Sequence, residues 1–393
     1  MRAQGFGKKM LLTSLSSLSS LLATLVVALV TSGTTVATHA DTNVAGNVAG
    51  NLAVKTYTAT MSAPHTPAGQ NGGTDDYHCF LIDPKVTQDS LILSSQFVPQ
   101  NPSVVHHAIL FQIDASNVAQ AQQLNAGGDG WSCFGGSGLG GNLGSFLTSP
   151  WLSSWAPGRG KDVMPKGFAT SFKKGSQIVL QVHYNLLMVG KDSVLKDQSK
   201  VILSAIPAKG SKLKILNSDL VAAPVELACP AGITGPLCSR KASLADLAAR
   251  TSSQSAFESA GLNLLCGQDA INPKPSLTST CDKTITVNET VIQAAPHMHL
   301  LGTALKLIAN PGTSREKVIL SRPNYNFDDQ SATVLKNPIQ LKAGDTVRVI
   351  CTFNPKLRQL LPGLKNLPAR YVTWGEGSSD EMCLGVMGVS VTR

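Results

Sequence analysis

Several common functional patterns are absent from this 393-residue sequence. We find no Ser/His/Asp arrangement of the kind that serves nucleophilic catalysis, and no glycine-rich phosphate loop. The basic residues are scattered, as in Lys209, Lys212 and Lys214, without interleaved aromatic side chains. The net charge of +9 therefore predicts solubility or weak attraction of anions, and it argues against nucleic-acid binding.

A second apolar run long enough to cross a membrane is also lacking after the N-terminus. Arg2, Lys8 and Lys9 precede the apolar segment Leu11–Val30, and small residues lead to Ala40. This order predicts a signal peptide over residues 1–40, although an uncleaved N-terminal anchor is the alternative. We expect a secreted or periplasmic protein with no membrane association after cleavage. Cleavage removes three positive charges and lowers the net charge from +9 to +6.

No CxxC pair occurs, and this argues against a metal site built from thiolates, which is the alternative use of the cysteines. All eight cysteines lie after the predicted signal peptide. An even number of cysteines in an exported chain predicts four disulfides. The cysteines are Cys79, Cys133, Cys229, Cys238, Cys266, Cys281, Cys351 and Cys383.

Short runs rich in Val, Ile, Leu and Thr dominate the rest of the chain, for example "VVHHAILFQID", "SQIVLQVHYNLLM" and "DTVRVICTFNP". Gly, Pro, Asn and Asp separate these runs, and this pattern is typical of antiparallel strands rather than βαβ units. The chain after the predicted signal peptide has about 350 residues, which is more than a single hydrophobic core usually accommodates. We therefore expect two β domains. The predicted divisions are a flexible leader at 41–54, an N-terminal domain at 55–215, a junction at 216–267 and a C-terminal domain at 268–393.

The junction differs from the rest because residues 242–265 have the composition of a helix. Ser243 is a plausible N-cap, and Gly267 lies just past the expected end. The sequence thus predicts an all-β fold with a short helical insertion at the junction.

Five histidines fall in apolar, strand-like segments: "VVHHAILF" (His106, His107), "LQVHYN" (His183) and "PHMHLLG" (His297, His299). A charged imidazolium is costly in such surroundings, so we expect neutral rings. They are either core histidines bonded to the backbone or metal ligands. On a strand, residues two apart share a face, as the last pair would, whereas the adjacent first pair needs a bulge or strand end to reach one metal.

A third ligand beside His297 and His299 is available in "WGEGSSDEMCLGVM", where Met382 precedes Cys383. A methionine by itself usually packs in a core. Two imidazoles with a thioether, however, form a donor set that selects Cu(I) over zinc.

Together, "HHAILF", "LQVHY", "HMH" and "GSSDEMC" resemble the copper type II, ascorbate-dependent monooxygenases, a family that includes the peptidylglycine α-hydroxylating and dopamine β-monooxygenases. The order of the motifs and their division between two β domains are similar over residues 75–393. The resemblance implies two antiparallel jelly-roll-like β-sandwich domains whose two copper ions face each other across a solvent-filled cleft. It also implies hydroxylation of an aliphatic C–H bond with O2 and an external reductant such as ascorbate.

Residue roles follow from the same resemblance. It implies that one copper, which transfers electrons, is bound by His106, His107 and His183. The copper that activates O2 is then bound by the catalytic ligands His297, His299 and Met382. Tyr77 and Gln181 correspond to residues near the first copper. The resemblance pairs Cys79 with Cys133 and Cys351 with Cys383, and sequence proximity leaves Cys229–Cys238 and Cys266–Cys281.

Three positions depart from the peptide-hydroxylating members of the family. Ala295 stands where those members carry an arginine for the peptide carboxylate, and Leu384 and Val386 replace a substrate-binding asparagine and tyrosine. We therefore expect a small or apolar substrate. Met298, between the two histidines, is expected to face away from them and to pack in the core.

The sequence thus predicts an exported copper-dependent monooxygenase that binds two copper ions and acts on a small molecule with O2. One alternative is an exported copper-binding or copper-storage protein that has kept the metal sites without the activity. Another is a secreted β-sandwich adhesion module whose histidines are structural.

Overall fold

The computed structural model describes residues 52–134, 136–139, 151–157, 159–187, 189–190, 193 and 195–391. The predicted signal peptide and nearly all of the predicted leader lie outside the described residues. The described residues fall within one compact unit. In this part of the chain, no helix has both the length and the apolar character that spanning a membrane requires.

The described residues are mostly β, with 43% of them in strands and 13% in helices, so the all-β prediction is confirmed. The strands are β1 (Lys55–Thr60), β2 (Asp75–Ile82), β3 (Ser90–Val98), β4 (Val105–Ile113), β5 (Trp131–Ser132), β6 (Trp151–Trp155), β7 (Asp162–Val163), β8 (Phe168–Phe172), β9 (Gln177–Asn185), β10 (Lys200–Pro207), β11 (Lys214–Ile215), β12 (Asn217–Ala222), β13 (Glu226–Leu227), β14 (Thr278–Thr284), β15 (Glu289–His297), β16 (Gly302–Ala309), β17 (Lys317–Arg322), β18 (Thr333–Leu341), β19 (Thr346–Phe353), β20 (Val372–Thr373) and β21 (Leu384–Val391). The helices are α1 (Val118–Leu124), α2 (Arg240–Arg250), α3 (Ser253–Leu265) and α4 (Leu357–Leu360), and two 3-10 turns span Gln70–Gly72 and Ala115–Asn117.

Two sheets form the N-terminal half. The first has the order β1-β10-β3-β8-β11, with β7 beside β3, and the second has the order β5-β2-β9-β4-β6. Leu180 and Val182 of β9 belong to a core shared by residues from both sheets, whereas Val179 belongs to a different core. Since side chains alternate along a strand, Gln181 and His183 lie on the same face as Val179. This alternation directs the functional side chains toward the C-terminal half.

The C-terminal half is built from the sheets β12-β21-β15-β18 and β14-β19-β16-β17, with the short pair β13-β20 beside them. Its core includes Leu307, Val349 and Met387, and the same core continues to Phe111 and Val179 of the N-terminal half. The halves are therefore joined by buried apolar contact. Strand β12, inside the predicted junction, pairs with β21 and so belongs to the C-terminal sheet.

The predicted helical insertion is present as two helices, α2 and α3. The expected cap at Ser243 is wrong, because the Ser239 side chain accepts the hydrogen bond from Ala242 N at the start of α2. Ser243 lies inside the helix and donates to the Tyr371 carbonyl. Ser252 has an extended backbone and caps α3, so the segment breaks there. Gly267, just after α3, has a φ of 71°.

Four disulfides are present in the described residues, and no cysteine there is free. They are Cys79–Cys133, Cys229–Cys238, Cys266–Cys281 and Cys351–Cys383, the same four pairs that the sequence analysis arrives at. Cys79–Cys133 joins β2 to the loop after β5, and Cys351–Cys383 joins β19 to the segment that carries Met382. Cys133 follows β5, and Cys383 directly precedes β21 and follows Met382.

Candidate metal centre

The first cluster, which we call the histidine trio, consists of His106, His107 and His183. His107 pairs directly with His183 across β4 and β9, and the register shifts between Val105 and His107. This irregularity is the bulge that two adjacent histidines need in order to point to one place. The Nδ1 atom of His107 lies 3.2 Å from that of His106 and 3.2 Å from that of His183. Three ring nitrogens therefore converge.

The protonation of the trio leaves lone pairs at the point of convergence. His183 donates from Nε2 to Asp75 Oδ1 at 2.8 Å, so its Nδ1 carries no hydrogen in the neutral ring. Burial lowers the pKa of His106 to about 3 and the pKa of His107 well below its usual value. A hydrogen on His107 Nδ1 could satisfy only one of its two neighbours. The trio as an isolated hydrogen-bonded cluster is thus incompletely satisfied.

The donor geometry of the trio fits a metal ion. Imidazole nitrogens bind a borderline ion such as zinc at about 2.0–2.1 Å. Two such ligands at a tetrahedral angle are roughly 3.3 Å apart by that distance, close to the 3.2 Å between Nδ1 atoms. The Asp75 carboxylate behind His183 is the usual outer partner of a metal-binding imidazole. Burial alone would raise the pKa of Asp75, but the hydrogen bond and charge of His183 and the hydrogen bonds from Ser378 together lower it.

Tyr77 and Gln181 have different relations to the trio. The Tyr77 ring stacks on His183 with centroids 4.1 Å apart. Gln181 instead donates to the carbonyls of Cys133 and Gly136, both at 2.9 Å, so it anchors the loop after β5. Sequence reasoning missed Asp75, which could have been found because it lies two residues before Tyr77 and hence on the same face of β2.

The second cluster, which we call the methionine site, consists of His297, His299 and Met382. His297 ends β15 and His299 follows it, with ring centroids 5.4 Å apart and planes nearly perpendicular. Met382 is only 3% exposed. His297 and Met382 line the same cleft. Met298, between the histidines, is fully buried and belongs to the core of the C-terminal half, as the sequence predicts.

Hydrogen bonds on the outer side of each ring leave Nε2 available in the methionine site. His297 donates from Nδ1 to Gln330 Oε1 at 2.5 Å, and His299 donates from Nδ1 to the Asp380 carbonyl at 3.2 Å. The Nε2 atom of His299 is buried and has no hydrogen-bond partner among the described residues. Burial lowers the pKa of His297 to about 4, although the Gln330 bond opposes this effect. Two unprotonated nitrogens beside a thioether fit Cu(I).

The segment 376–382 connects the two clusters. Tyr77 donates from its hydroxyl to the Glu376 carbonyl at 2.7 Å, and Ser378 N donates to Asp75 Oδ1 at 3.0 Å. At the other end, Glu381 accepts from the backbone N–H groups of His299 and Leu301. Burial raises the pKa of Glu381 to about 8. The same short loop therefore orients side chains in both clusters.

The two clusters adjoin. The rings of His107 and His297 have centroids 5.8 Å apart. Phe327 stacks on His106 at 4.5 Å and meets the His299 ring edge at 6.2 Å. An open cleft is lined by residues of both clusters, His107 and Tyr77 on one side and His297 and Met382 on the other. The cleft expected from the sequence therefore stays a prediction as regards its solvent content, and Phe327 packs beside it against rings of both clusters.

An open cleft with about 650 Å³ of empty space, counted to its mouth, lies beside the methionine site. Its walls include Ala295 and Val386, two of the positions where the sequence departs from peptide-hydroxylating relatives. Leu384, the third position, is fully buried in the core instead. Trp155 and Arg159 also line the cleft, although no sequence motif marks them as site residues. Apolar walls beside the methionine suit a small or apolar ligand.

Comparison with known proteins supports the family resemblance of the C-terminal half. The family model of the copper type II ascorbate-dependent monooxygenase, C-terminal domain, matches residues 259–387, which confirms the resemblance for that part of the chain. No curated protein matches the sequence. Among solved structures, PNGF-II aligns with a TM-score of 0.33 and 10% identity, over 86% of this chain and 65% of that one. A fucolectin from striped bass (Morone saxatilis) serum aligns with a TM-score of 0.15 and 9% identity, over 84% and 86%. These structural scores support no conclusion.

Proposed function

We propose that the whole chain is an exported monooxygenase with two copper ions, and the match of residues 259–387 to the copper type II ascorbate-dependent monooxygenase C-terminal domain supports this proposal. It hydroxylates an aliphatic C–H bond of a small or apolar substrate, using O2 and an external reductant such as ascorbate. The histidine trio holds the electron-transfer copper, and the methionine site holds the copper at which O2 is activated.

One observation carries this proposal: two adjacent clusters have different donor chemistry, and both have unprotonated ring nitrogens. The trio offers three imidazoles, which suit a metal that changes oxidation state readily. The methionine site offers two imidazoles and a thioether, which favour the reduced metal. The outer partners Asp75 and Gln330 fix the tautomers of His183 and His297.

The overall reaction balances when two electrons are supplied. A substrate R–H, O2, two electrons and two protons give R–OH and water, so the C–H bond and the O–O bond break. Bound copper supplies one electron per ion and a site for O2. The external reductant returns both electrons after each turnover.

The chain's own residues orient the histidine rings and exclude water from the site. Asp75 holds the His183 ring, and the loop 376–382 fixes the rings of His183 and His299 relative to each other. Ala295, Val386 and the tryptophans of the cleft present apolar surface to the substrate beside Met382. These walls exclude water from the site, which limits side reactions of O2 with solvent.

Export is part of the proposal. Four disulfides suit an oxidising compartment, and the predicted signal peptide at 1–40 would deliver the chain there. The protein would then be secreted or periplasmic. It would meet substrate, O2 and reductant outside the cytosol.

The test is oxygen consumption by the copper-loaded mature chain with ascorbate and a panel of small apolar substrates. Substrate-dependent uptake should be accompanied by one atom of 18O from labelled O2 in the product, measured by mass spectrometry. Met382→Leu should abolish turnover, because it removes the thioether while keeping the volume. Met387→Leu is the matched control, since Met387 is equally buried but packs in the core.

Equal turnover in both variants would contradict the assignment of Met382. Copper binding at two sites without oxygen consumption for any substrate would favour the copper-storage alternative. Absence of copper binding would leave the histidines as structural residues of an interaction module.

A further inference from the structure

A third group of side chains that could hold a metal ion lies on the opposite face of β2 from the trio. Asp75 and Tyr77 face the trio, so the intervening Asp76 and the next residue His78 point the other way. His65 joins them from the segment after β1. One ligand atom from each of His65, Asp76 and His78 lies within 4.8 Å of the others. None of these three residues takes part in the proposed reaction.

The backbone around His65 is fixed. His65 and Asp197 exchange two backbone hydrogen bonds, each 2.9 Å long. The Asp197 carboxylate in turn accepts from the Tyr184 hydroxyl at 3.0 Å and from Asn101 N at 2.9 Å. The Tyr184 ring also packs against the His65 ring, with centroids 5.3 Å apart. His65 is thus held in place by contacts that do not use its Nε2 atom.

The donor atoms converge on the Asp76 carboxylate. His65 Nε2 lies 2.8 Å from Asp76 Oδ2, and His78 Nδ1 lies 3.8 Å from Asp76 Oδ1. The two imidazole rings stack with centroids 3.9 Å apart, which brings their edges to the same side. The exposed fractions of the side chains are 13% for His65, 16% for His78 and 7% for Asp76, so an ion can enter from solvent.

His78 and Asp76 each have the outer partner that a metal ligand needs. His78 donates from Nε2 to the Asp129 carbonyl at 2.9 Å, which leaves its Nδ1 unprotonated in the neutral ring. The Ala68 backbone N–H donates to Asp76 Oδ2 at 3.1 Å. Gly130, with a φ of 87°, passes so close to the His78 ring that a Cβ would clash with it.

We propose that His65, Asp76 and His78 bind a third metal ion, a divalent ion of the copper and zinc class. Two imidazoles and one carboxylate are borderline donors, and without a thioether they favour Cu(II) over Cu(I). Cu(II) should bind more tightly than Zn(II) in the usual order of affinities. The ion replaces the hydrogen of His65 Nε2, and that proton leaves to solvent. Solvent completes the coordination on the exposed side.

The test is the copper content of the metal-stripped mature chain after equilibration with buffered Cu2+, measured by elemental analysis. Wild type should carry one copper per chain more than His65→Gln/His78→Gln. Tyr184→Phe is the matched control: it alters the packing of His65 but removes no donor, and it should keep the wild-type copper content. Equal copper content in wild type and the double variant would overturn the proposal.

The double variant could lose copper because it folds poorly rather than because it lacks ligands. The variant Asp76→Asn, which keeps the shape of the side chain, distinguishes these two explanations. This variant should also carry one copper fewer, and a wild-type content would count against the site. The proposal does not rest on the proposed reaction. Wild type and each variant contain the same trio and the same methionine site. The predicted difference of one copper per chain between them therefore does not depend on whether those two sites are filled.

Discussion

Asp75 and Gln330 each fix one ring that the histidine clusters need. A neutral imidazole can carry its hydrogen on either nitrogen, and only one choice leaves a lone pair at the point of convergence. Asp75 accepts a hydrogen bond from His183 Nε2, and Gln330 accepts one from His297 Nδ1. The residues that select the tautomer are thus as important to metal binding as the ligands.

The variant Asp75→Asn should weaken copper binding at the trio by about 10- to 100-fold, the usual cost of losing such an outer partner. The amide can present its N–H to His183 and favour the wrong tautomer. Competition with a copper chelator measures the affinity. Asp83→Asn, at a carboxylate paired with Lys85 beyond the end of β2, is the control and should bind copper as wild type does. Unchanged affinity in Asp75→Asn would contradict the role of Asp75.

At the scale of elements, α2 holds the loop that carries Met382. Arg250, the last residue of α2, bonds to both oxygens of the Asp380 carboxylate, at 2.9 and 3.3 Å. Arg370 lies 3.3 Å from the same carboxylate. Asp380 is 3% exposed, and its carbonyl accepts from His299. The helical insertion therefore orients the methionine site from a distance.

Arg250→Ala should lower the free energy of unfolding by about 3 kcal/mol. The buried Asp380 carboxylate would lose one of its two arginine partners, so its negative charge would be only partly neutralised. Arg348→Ala is the matched control. Arg348 makes two bonds of 2.6 Å with Asp282, but both side chains are about 40% exposed, so its loss should cost less than about 1 kcal/mol. Urea unfolding of both variants measures the difference. Equal losses would show that the α2 contact does not stabilise the loop.

At the scale of the whole molecule, the stability of the metal-free protein should depend on pH through its buried imidazoles. Burial lowers the pKa of His106 to about 3 and of His297 to about 4. In the unfolded chain, histidine titrates near pH 6.5. Below that pH the unfolded chain binds more protons than the folded one, so stability is lost as the pH falls from about 6.5 toward about 4. Each ring contributes up to about 1.4 kcal/mol per pH unit in this window.

Urea unfolding of the chelator-treated chain at pH 7.5 and pH 5.0 measures this effect. The variant His106→Gln/His297→Gln should lose less stability over the same interval, because two of the titrating rings are gone. Wild type and variant with the same pH dependence would contradict the assignment. Bound copper should suppress the dependence, since a metal ion competes with protons for the same nitrogens.

The sequence by itself determined the local features of this protein. Alternating apolar residues predicted strands, and the even cysteine count predicted disulfides. The adjacent His106 and His107 needed a bulge or a strand end if both were to reach one metal ion, and the spacing of His297 and His299 predicted that they share one side of a strand. These features depend on backbone geometry over a few residues, which the order of residue types is enough to specify.

Only the tertiary structure decided which distant groups meet. Asp75 reaches Ser378 across 303 positions, and Phe327 packs between rings of the two clusters. The cap of α2 lies at Ser239 rather than Ser243, because the Tyr371 carbonyl takes the Ser243 hydroxyl. His65 and His78 carried no motif, yet the Asp197 bridge brings them to one carboxylate. Such contacts depend on how sheets pack, and no short segment contains that information.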